Sequence, residues 1–269
     1  MEPISTALAG IALVQQSVEF IKKNIETVQD IGQIIDVVDK ALDGQQHINR
    51  QRWGNKSALG QHKQAAHAVI DAKLAQEQIE EMKNMIKTLF MGRKTVAREC
   101  LSWLIKDNRF EIKGVLTDNH LSTSPVSSLA QKENIPIYSY DKALELASKG
   151  EFEFGISVLY WKKLKGPLIF KNTKYGCINF HPAILPDYKG CGGYNIAILE
   201  QLKEWGSSCH YVDENIDTGS IIDVDLFSID PLIETAKSLE SKTLKVMESQ
   251  FIRIIQNIGK IDGKLKSFP

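Results

Sequence analysis

The chain has 269 residues, with 33 basic against 33 acidic side chains and 43% hydrophobic residues, so its formal net charge is zero. That length allows one large domain or two modest ones, and the balanced charge gives no sign of a nucleic acid or an anionic membrane as partner. The four cysteines, Cys100, Cys177, Cys191 and Cys209, lack Cys-x-x-Cys spacing and read as reduced thiols of a cytosol-like, cytoplasmic compartment, and no apolar run approaches the roughly 18 to 20 residues a membrane helix needs.

At the amino-terminal end, apolar residues fall at Leu8, Ile11, Val14, Val18, Ile21, Ile25 and Val28, in steps of three and four that lay one stripe along a helix. Ala7 to Val14 is no signal peptide, because no basic segment precedes it and the stripe runs on through Lys22 and Lys23. Ile31, Ile34, Ile35, Val38 and Leu42 extend the stripe past a break at Gly32, residues 43 to 62 form a polar loop, and His62 to Lys83 returns to helical spacing. Residues 1–84 are therefore expected to be an α-helical module, hairpin or coiled-coil-like, for interaction or homo-oligomerisation. His62 and His67 are five apart, off the spacing that brings ligands together on a helix, and no metal is implied.

At Met85 the pattern changes. Ile86 to Met91 is an apolar strand ending in Gly92, and Thr95 to Ile105 has helical spacing. Phe110 to Leu116 is the next strand, Pro125 to Lys132 a short helix, Ile135 to Tyr138 another strand, and Asp141 caps a helix running to Ser148. Phe154 to Leu159 and Cys177 to Phe180 are strands, Asn195 to Lys203 a helix, Ile221 to Phe227 a further apolar run, and Pro231 opens a long helix. Alternating strands and helices argue for an α/β domain over residues 85–269, a mostly parallel twisted sheet with ligands at the strands' carboxyl ends. Gly92-Arg93-Lys94 follows the first strand but carries one glycine, where a dinucleotide loop wants Gly-x-Gly-x-x-Gly.

The chemistry concentrates in residues 176 to 222. Pro182 and Pro186 stop the Cys177–Phe180 run from continuing as a central strand. Asn179 and His181, two apart on extended chain, face the same side where the strand gives way to a rigid loop. Asp217 lies in a turn-like Asp-Thr-Gly before the run starting at Ile221. Acyl transfer to an amine needs such a set. The carbonyl oxygen gains negative charge, which an Asn amide and a protonated His stabilise, and the amine's proton passes to a carboxylate that holds the His charged.

Asn179-Phe180-His181-Pro182, with Leu185-Pro186, Tyr188-Lys189-Gly190, Ala197-Ile198, His210 and Asp217-Thr218-Gly219-Ser220-Ile221-Ile222, resembles the signature of the formyltransferases that use 10-formyltetrahydrofolate. The likeness runs from about Met85 to Phe227. It implies a Rossmann-like formyltransferase domain, Asn179, His181 and Asp217 as the catalytic trio, and 10-formyltetrahydrofolate as co-substrate. It also implies folate contacts at Leu159, Tyr160, Trp161 and Asp213, although Tyr160 and Trp161 read equally as packing beside the following helix. His210 is given a structural hydrogen bond.

Members acting on glycinamide ribonucleotide carry a glycine-rich segment where this chain has Gly92-Arg93-Lys94. Those acting on methionyl-tRNA carry a further barrel domain, for which the residues after the long helix are too few. The leading expectation is formyl transfer to a primary amine of a small molecule, most plausibly a nucleotide-linked amino sugar, with no nucleic-acid partner. The alternatives are hydrolysis of formyltetrahydrofolate, and a structural or interaction protein with an inactive fold.

Overall fold

The computed structural model describes residues 85–118, 124–258 and 265–268. The chain divides into two compact units, Met1–Glu77 and Gln78–Pro269, and the described residues belong to the second. The expected helical module of residues 1–84 lies outside them.

Among the described residues six strands form one sheet: β1 (Ile86–Gly92), β2 (Phe110–Leu116), β3 (Phe154–Val158), β4 (Gly176–His181), β5 (Glu204–Tyr211) and β6 (Ile221–Ser228), in the order β2-β1-β3-β4-β5-β6. The four strands from β2 to β4 pair in parallel, and β5 and β6 add on antiparallel. The helices among these residues are α1 (Lys94–Ile105), α2 (Pro125–Lys132), α3 (Tyr140–Ser148), α4 (Gly193–Leu199) and α5 (Ala236–Ile255), with a 3-10 turn at Gly166–Ile169. A mostly parallel sheet covered by helices is the α/β, Rossmann-like arrangement expected from the sequence.

Alternation along the strands sorts side chains into two cores. Phe90, Phe154, Ile156, Val158, Ile178 and Phe180 face α1, α2 and α5, while Leu89, Met91, Leu116 and Cys177 face α3 and the 3-10 turn. Leu101 and Leu104 of α1 are fully buried in the first core, each contributing roughly 1.5–3 kcal/mol. β3 is buried along its whole length, as expected for a central parallel strand. On β4 the even residues Ile178 and Phe180 enter the first core, so Cys177, Asn179 and His181 share the opposite face.

The bounds of β2 and α2 agree with the expected ones; other elements differ for local physical reasons. Ile135 to Tyr138 makes a single bridge between Ile137 and Val115 rather than a strand. Its Pro136 has no N–H to extend a ladder, and the contact consists of Val115 N–H to Pro136 O at 2.9 Å and Tyr138 N–H to Val115 O at 2.9 Å. Ser139, not Asp141, caps α3 by accepting the Lys142 N–H. β3 ends at Val158 because Leu159 turns into a left-handed conformation, φ 55°. The helix expected from Asn195 runs from Gly193 and stops at Leu199, where Gln201 turns left-handed at φ 51°. The long helix starts at Ala236 rather than Pro231. Asp230 gathers the N–H groups of Leu232, Ile233 and Glu234 into a separate turn, and Thr235 with Ser238 forms a capping box that sets the new start. Among the described residues no helix is long and apolar enough to cross a membrane.

Candidate active site

Asn179 and His181 end β4, at the carboxyl edge of the parallel strands, and the antiparallel partner β5 places His210 directly across from Asn179. Facing residues of an antiparallel pair project to the same side, so the His210 ring joins the face that alternation gave to the other two. A register shift between Cys209 and His210, where β5 meets β6, marks a bulge beside the site, a device that re-aims side chains.

Asp217 arrives from the turn between β5 and β6. The Asp213 carboxylate fastens that turn, accepting the Asn215 N–H at 2.9 Å and the Thr218 hydroxyl at 2.7 and 2.8 Å. Asp217 itself is left-handed, φ 52°, a conformation Asp tolerates better than most residues. Gly219 closes the turn against β5, and a Cβ there would run into the Tyr211 carbonyl. Gly219→Ala is therefore expected to displace Asp217 and to cost about 1–3 kcal/mol of stability, as overpacking does. A wild-type melting temperature in that variant would show that the turn gives way more easily than its contacts indicate.

The carboxylate of Asp217 lies between two imidazoles. Oδ2 is 3.4 Å from His181 Nδ1, Oδ1 is 3.4 Å from His210 Nε2, and Oδ2 accepts the Gly190 N–H at 2.9 Å. Asn179 Nδ2 is 3.0 Å from His210 Nε2. Both rings are more than nine-tenths buried, and the Asp217 side chain is 12% exposed. Amide, imidazole and carboxylate thus meet around one point, joined by the imidazole of His210, which makes the hydrogen bonds expected of it.

Backbone carbonyls fix the tautomers. His181 Nε2 lies 2.8 Å from Tyr188 O, and His210 Nδ1 lies 2.8 Å from Tyr211 O. A carbonyl only accepts, so both of those nitrogens carry hydrogen. In the neutral rings the nitrogens turned toward Asp217 are bare. His210 Nε2 accepts from the Asn179 amide, and His181 Nδ1 presents a lone pair to a carboxylate. The cluster is short of a proton and built to take one.

Charge states agree with this reading. Burial pushes the His181 pKa below its ordinary value of 6.5, outweighing the upward pull of Asp217 and of the bond to Tyr188 O, and the neighbouring His210 adds to the depression. This corrects the expectation that Asp217 keeps His181 protonated. At neutral pH the ring is neutral, and with Nε2 on Tyr188 O and Nδ1 against Asp217 it has no N–H directed at a substrate oxygen. Burial also raises the Asp217 pKa, but its contacts with His210 and His181 and the Gly190 N–H together bring it below 3.8. The carboxylate is thus ionised throughout the neutral range. The amide of Asn179, half-buried and with one N–H on His210, keeps its other N–H for a ligand.

The loop after β4 is sewn to β5. Ser208, fully buried and paired across the sheet with His181, donates to Ala183 O at 2.7 Å and accepts the Leu185 N–H at 3.0 Å. The same loop carries Tyr188 O and Gly190 N–H, which orient His181 and Asp217.

Of the expected folate contacts, Tyr160 and Trp161 line an open groove of about 520 Å3 together with Leu116, Thr117, Tyr140 and Lys162. Lys162 Nζ sits 5.0 Å from the Trp161 ring centroid and 5.7 Å from that of Tyr140. Leu159 packs against the sheet's first core, and the Asp213 carboxylate is engaged in its own turn, so neither side chain lines this groove. Groove and cluster both lie at the carboxyl ends of strands, with β3 and β4 as neighbours. Aromatic walls with a polar rim suit a planar heteroaromatic ligand.

A family model described as formyl transferase matches residues 116–255, just over half of the chain. The methionyl-tRNA formyltransferase of Clostridium tetani (strain Massachusetts / E88) is 32% identical over 188 residues, which is 65% of this chain and 59% of that protein's length. A sugar 3N-formyl transferase, WlaRD, solved with dTDP and 5-N-formyl-THF, is 26% identical, with a TM-score of 0.54 over 69% of this chain and 67% of its own. An N-formyltransferase from Helicobacter canadensis, in complex with folinic acid and dTDP-3-aminofucose, is also 26% identical, with a TM-score of 0.57 over 68% of this chain and 67% of its own. With the fold, the strand-end cluster and the family match in agreement, the chain belongs to the formyl transferase family.

Proposed function

We propose that residues 85–269 transfer a formyl group from 10-formyltetrahydrofolate to a primary amine, with a nucleotide-linked amino sugar as the acceptor, and that residues 1–84 serve as an interaction or oligomerising module. The observation that supports this best is the carboxylate of Asp217 facing two bare imidazole nitrogens beside a half-free amide. The amine nitrogen bonds to the formyl carbon, and the oxygen's new charge meets the Asn179 N–H that His210 leaves open. The amine's proton goes to the Asp217–His181 pair, directly or through a water. As the bond from the formyl carbon to the folate nitrogen breaks, that proton is available to the leaving nitrogen, so the cluster ends as it began. The aromatic groove beside Tyr160 and Trp161 is assigned to the folate.

The sugar acceptor is favoured by the two sugar-modifying relatives at 26% identity. A second reading, the amine of methionyl-tRNA, has its own support in the 32% identical relative, against the zero net charge that spoke for a small acceptor. Incubating the full chain with the formyl donor and, separately, a dTDP-linked amino sugar, methionyl-tRNA, or no acceptor separates these. N-formylated sugar nucleotide is the expected product. Formyl-methionyl-tRNA alone would move the assignment to the second reading, and formate released without acceptor would make the protein a hydrolase. No turnover together with no folate binding in calorimetry would favour an inactive scaffold.

The pH dependence follows from His181. The neutral ring is the competent form, and its pKa lies below 6.5. With an acceptor whose amine is neutral throughout, activity should be full above that value and fall as pH drops through the depressed pKa. The acid limb of kcat/KM is therefore expected below pH 6.5; a limb above it would mean that the carboxylate, not burial, governs the ring.

A further inference from the structure

We propose that His210 is a positioning residue for formyl transfer, its ring aiming the Asn179 amide beside the second oxygen of Asp217. The inference rests on the formyl-transfer reading above and adds a fourth side chain to it. Three contacts carry it. His210 Nδ1–H is tied to Tyr211 O at 2.8 Å, which fixes the tautomer and the plane of the ring. The bare Nε2 then has one kind of partner to accept from, and Asn179 Nδ2 supplies it at 3.0 Å.

An amide nitrogen carries two hydrogens in one plane, so committing one to His210 sets the direction of the other. The third contact is to Asp217 Oδ1 at 3.4 Å. One buried ring therefore lies against two of the three expected catalytic groups. The bulge between Cys209 and His210 and the position of His210 opposite Asn179 in the β4–β5 register show how the sheet delivers the ring there. The ionisable groups facing it are Asp217 from the β5–β6 turn and His181 from β4.

A residue that aims another should affect turnover rather than binding, and a substitute that keeps an acceptor at the same place should recover function. In His210→Leu, Asn179 loses its partner, and kcat is expected to fall about 100-fold, with KM for donor and acceptor within about twofold of wild type. His210→Gln offers a side-chain oxygen to Asn179, and its kcat should return to within about tenfold of wild type. A kcat for His210→Leu within about threefold of wild type would overturn the proposal. So would equal losses in both variants accompanied by equal losses of melting temperature, which would mark a packing role.

An activity-free readout separates this inference from the functional reading beneath it. The side-chain amide NMR signal of Asn179, assigned by its disappearance in Asn179→Asp, should move in His210→Leu and stay close to its place in His210→Gln. If wild type transfers formyl to no amine while this pattern holds, the functional reading falls and the positioning contact stands. An unmoved signal in His210→Leu removes the contact itself.

Discussion

Replacing Asp217 with asparagine is expected to lower kcat for formyl transfer by about 100- to 10,000-fold while leaving the protein folded. The substitution is close to isosteric. The side-chain oxygen of asparagine can keep the Gly190 N–H, now 2.9 Å from Oδ2. Asparagine tolerates the left-handed backbone at this position, φ 52°, as well as aspartate does. The variant cannot take up a proton. Its amide nitrogen, in the place of Oδ1, would instead face the bare Nε2 of His210 as a donor, where the carboxylate opposes one lone pair with another. The melting temperature should therefore equal or exceed that of the wild type, the pattern expected when a site is arranged for reactivity rather than rest. Single-turnover kinetics and thermal denaturation check both halves. Turnover within about tenfold of wild type would exclude Asp217 as the proton acceptor, and a lower melting temperature would mean that the carboxylate is mainly structural.

The parts of this molecule legible from sequence are those in which a period or a turn signal decides the geometry by itself. A two-residue period puts Asn179 and His181 on one face of β4, and the buried run Phe154 to Val158 has the composition of a central parallel strand. The Pro at the start of α2 and the apolar spacing of α1 locate those helices. Reading failed where the outcome depends on a partner elsewhere in the chain. Ile135 to Tyr138 has strand composition, but one proline on a sheet edge reduces it to a bridge. Leu232 and Ile233 look like the first apolar residues of a helix, yet Asp230 claims the turn and leaves both exposed.

The protonation of His181 belongs to the same class. A nearby carboxylate argues for a charged ring, and the opposing burial becomes visible only once the loop from Pro182 to Gly190 has closed over it. The partners of His210 were hidden for a related reason. Its place opposite Asn179 is a fact of strand register, which the antiparallel switch after β4 and the bulge at Cys209 set together. The histidine was visible in the sequence, but its two partners were not.

Removing the Asn179 side chain, as in Asn179→Ala, is expected to lower kcat by about 100- to 1000-fold, the range for losing one donor to a developing oxyanion. The tautomers raise the weight of this residue. His181 spends Nε2–H on Tyr188 O and faces Asp217 through Nδ1, and His210 spends Nδ1–H on Tyr211 O. With their other nitrogens turned to Asp217 and Asn179, neither ring directs an N–H at substrate, which leaves the Asn179 amide to do so. Such a donor acts on charge that exists only as the amine attacks, so the loss should fall on kcat, with KM for the folate and the acceptor near wild type. Asn179→Asp separates donation from shape. It keeps the size of the side chain but brings a third acceptor group against His210 and Asp217, so it should be at least as slow as the alanine variant. Steady-state kinetics on both variants decide the point. A loss confined to KM, or a fast Asn179→Asp enzyme, would mean that the oxyanion is stabilised by His181 after all, through a ring position different from the one seen against Tyr188.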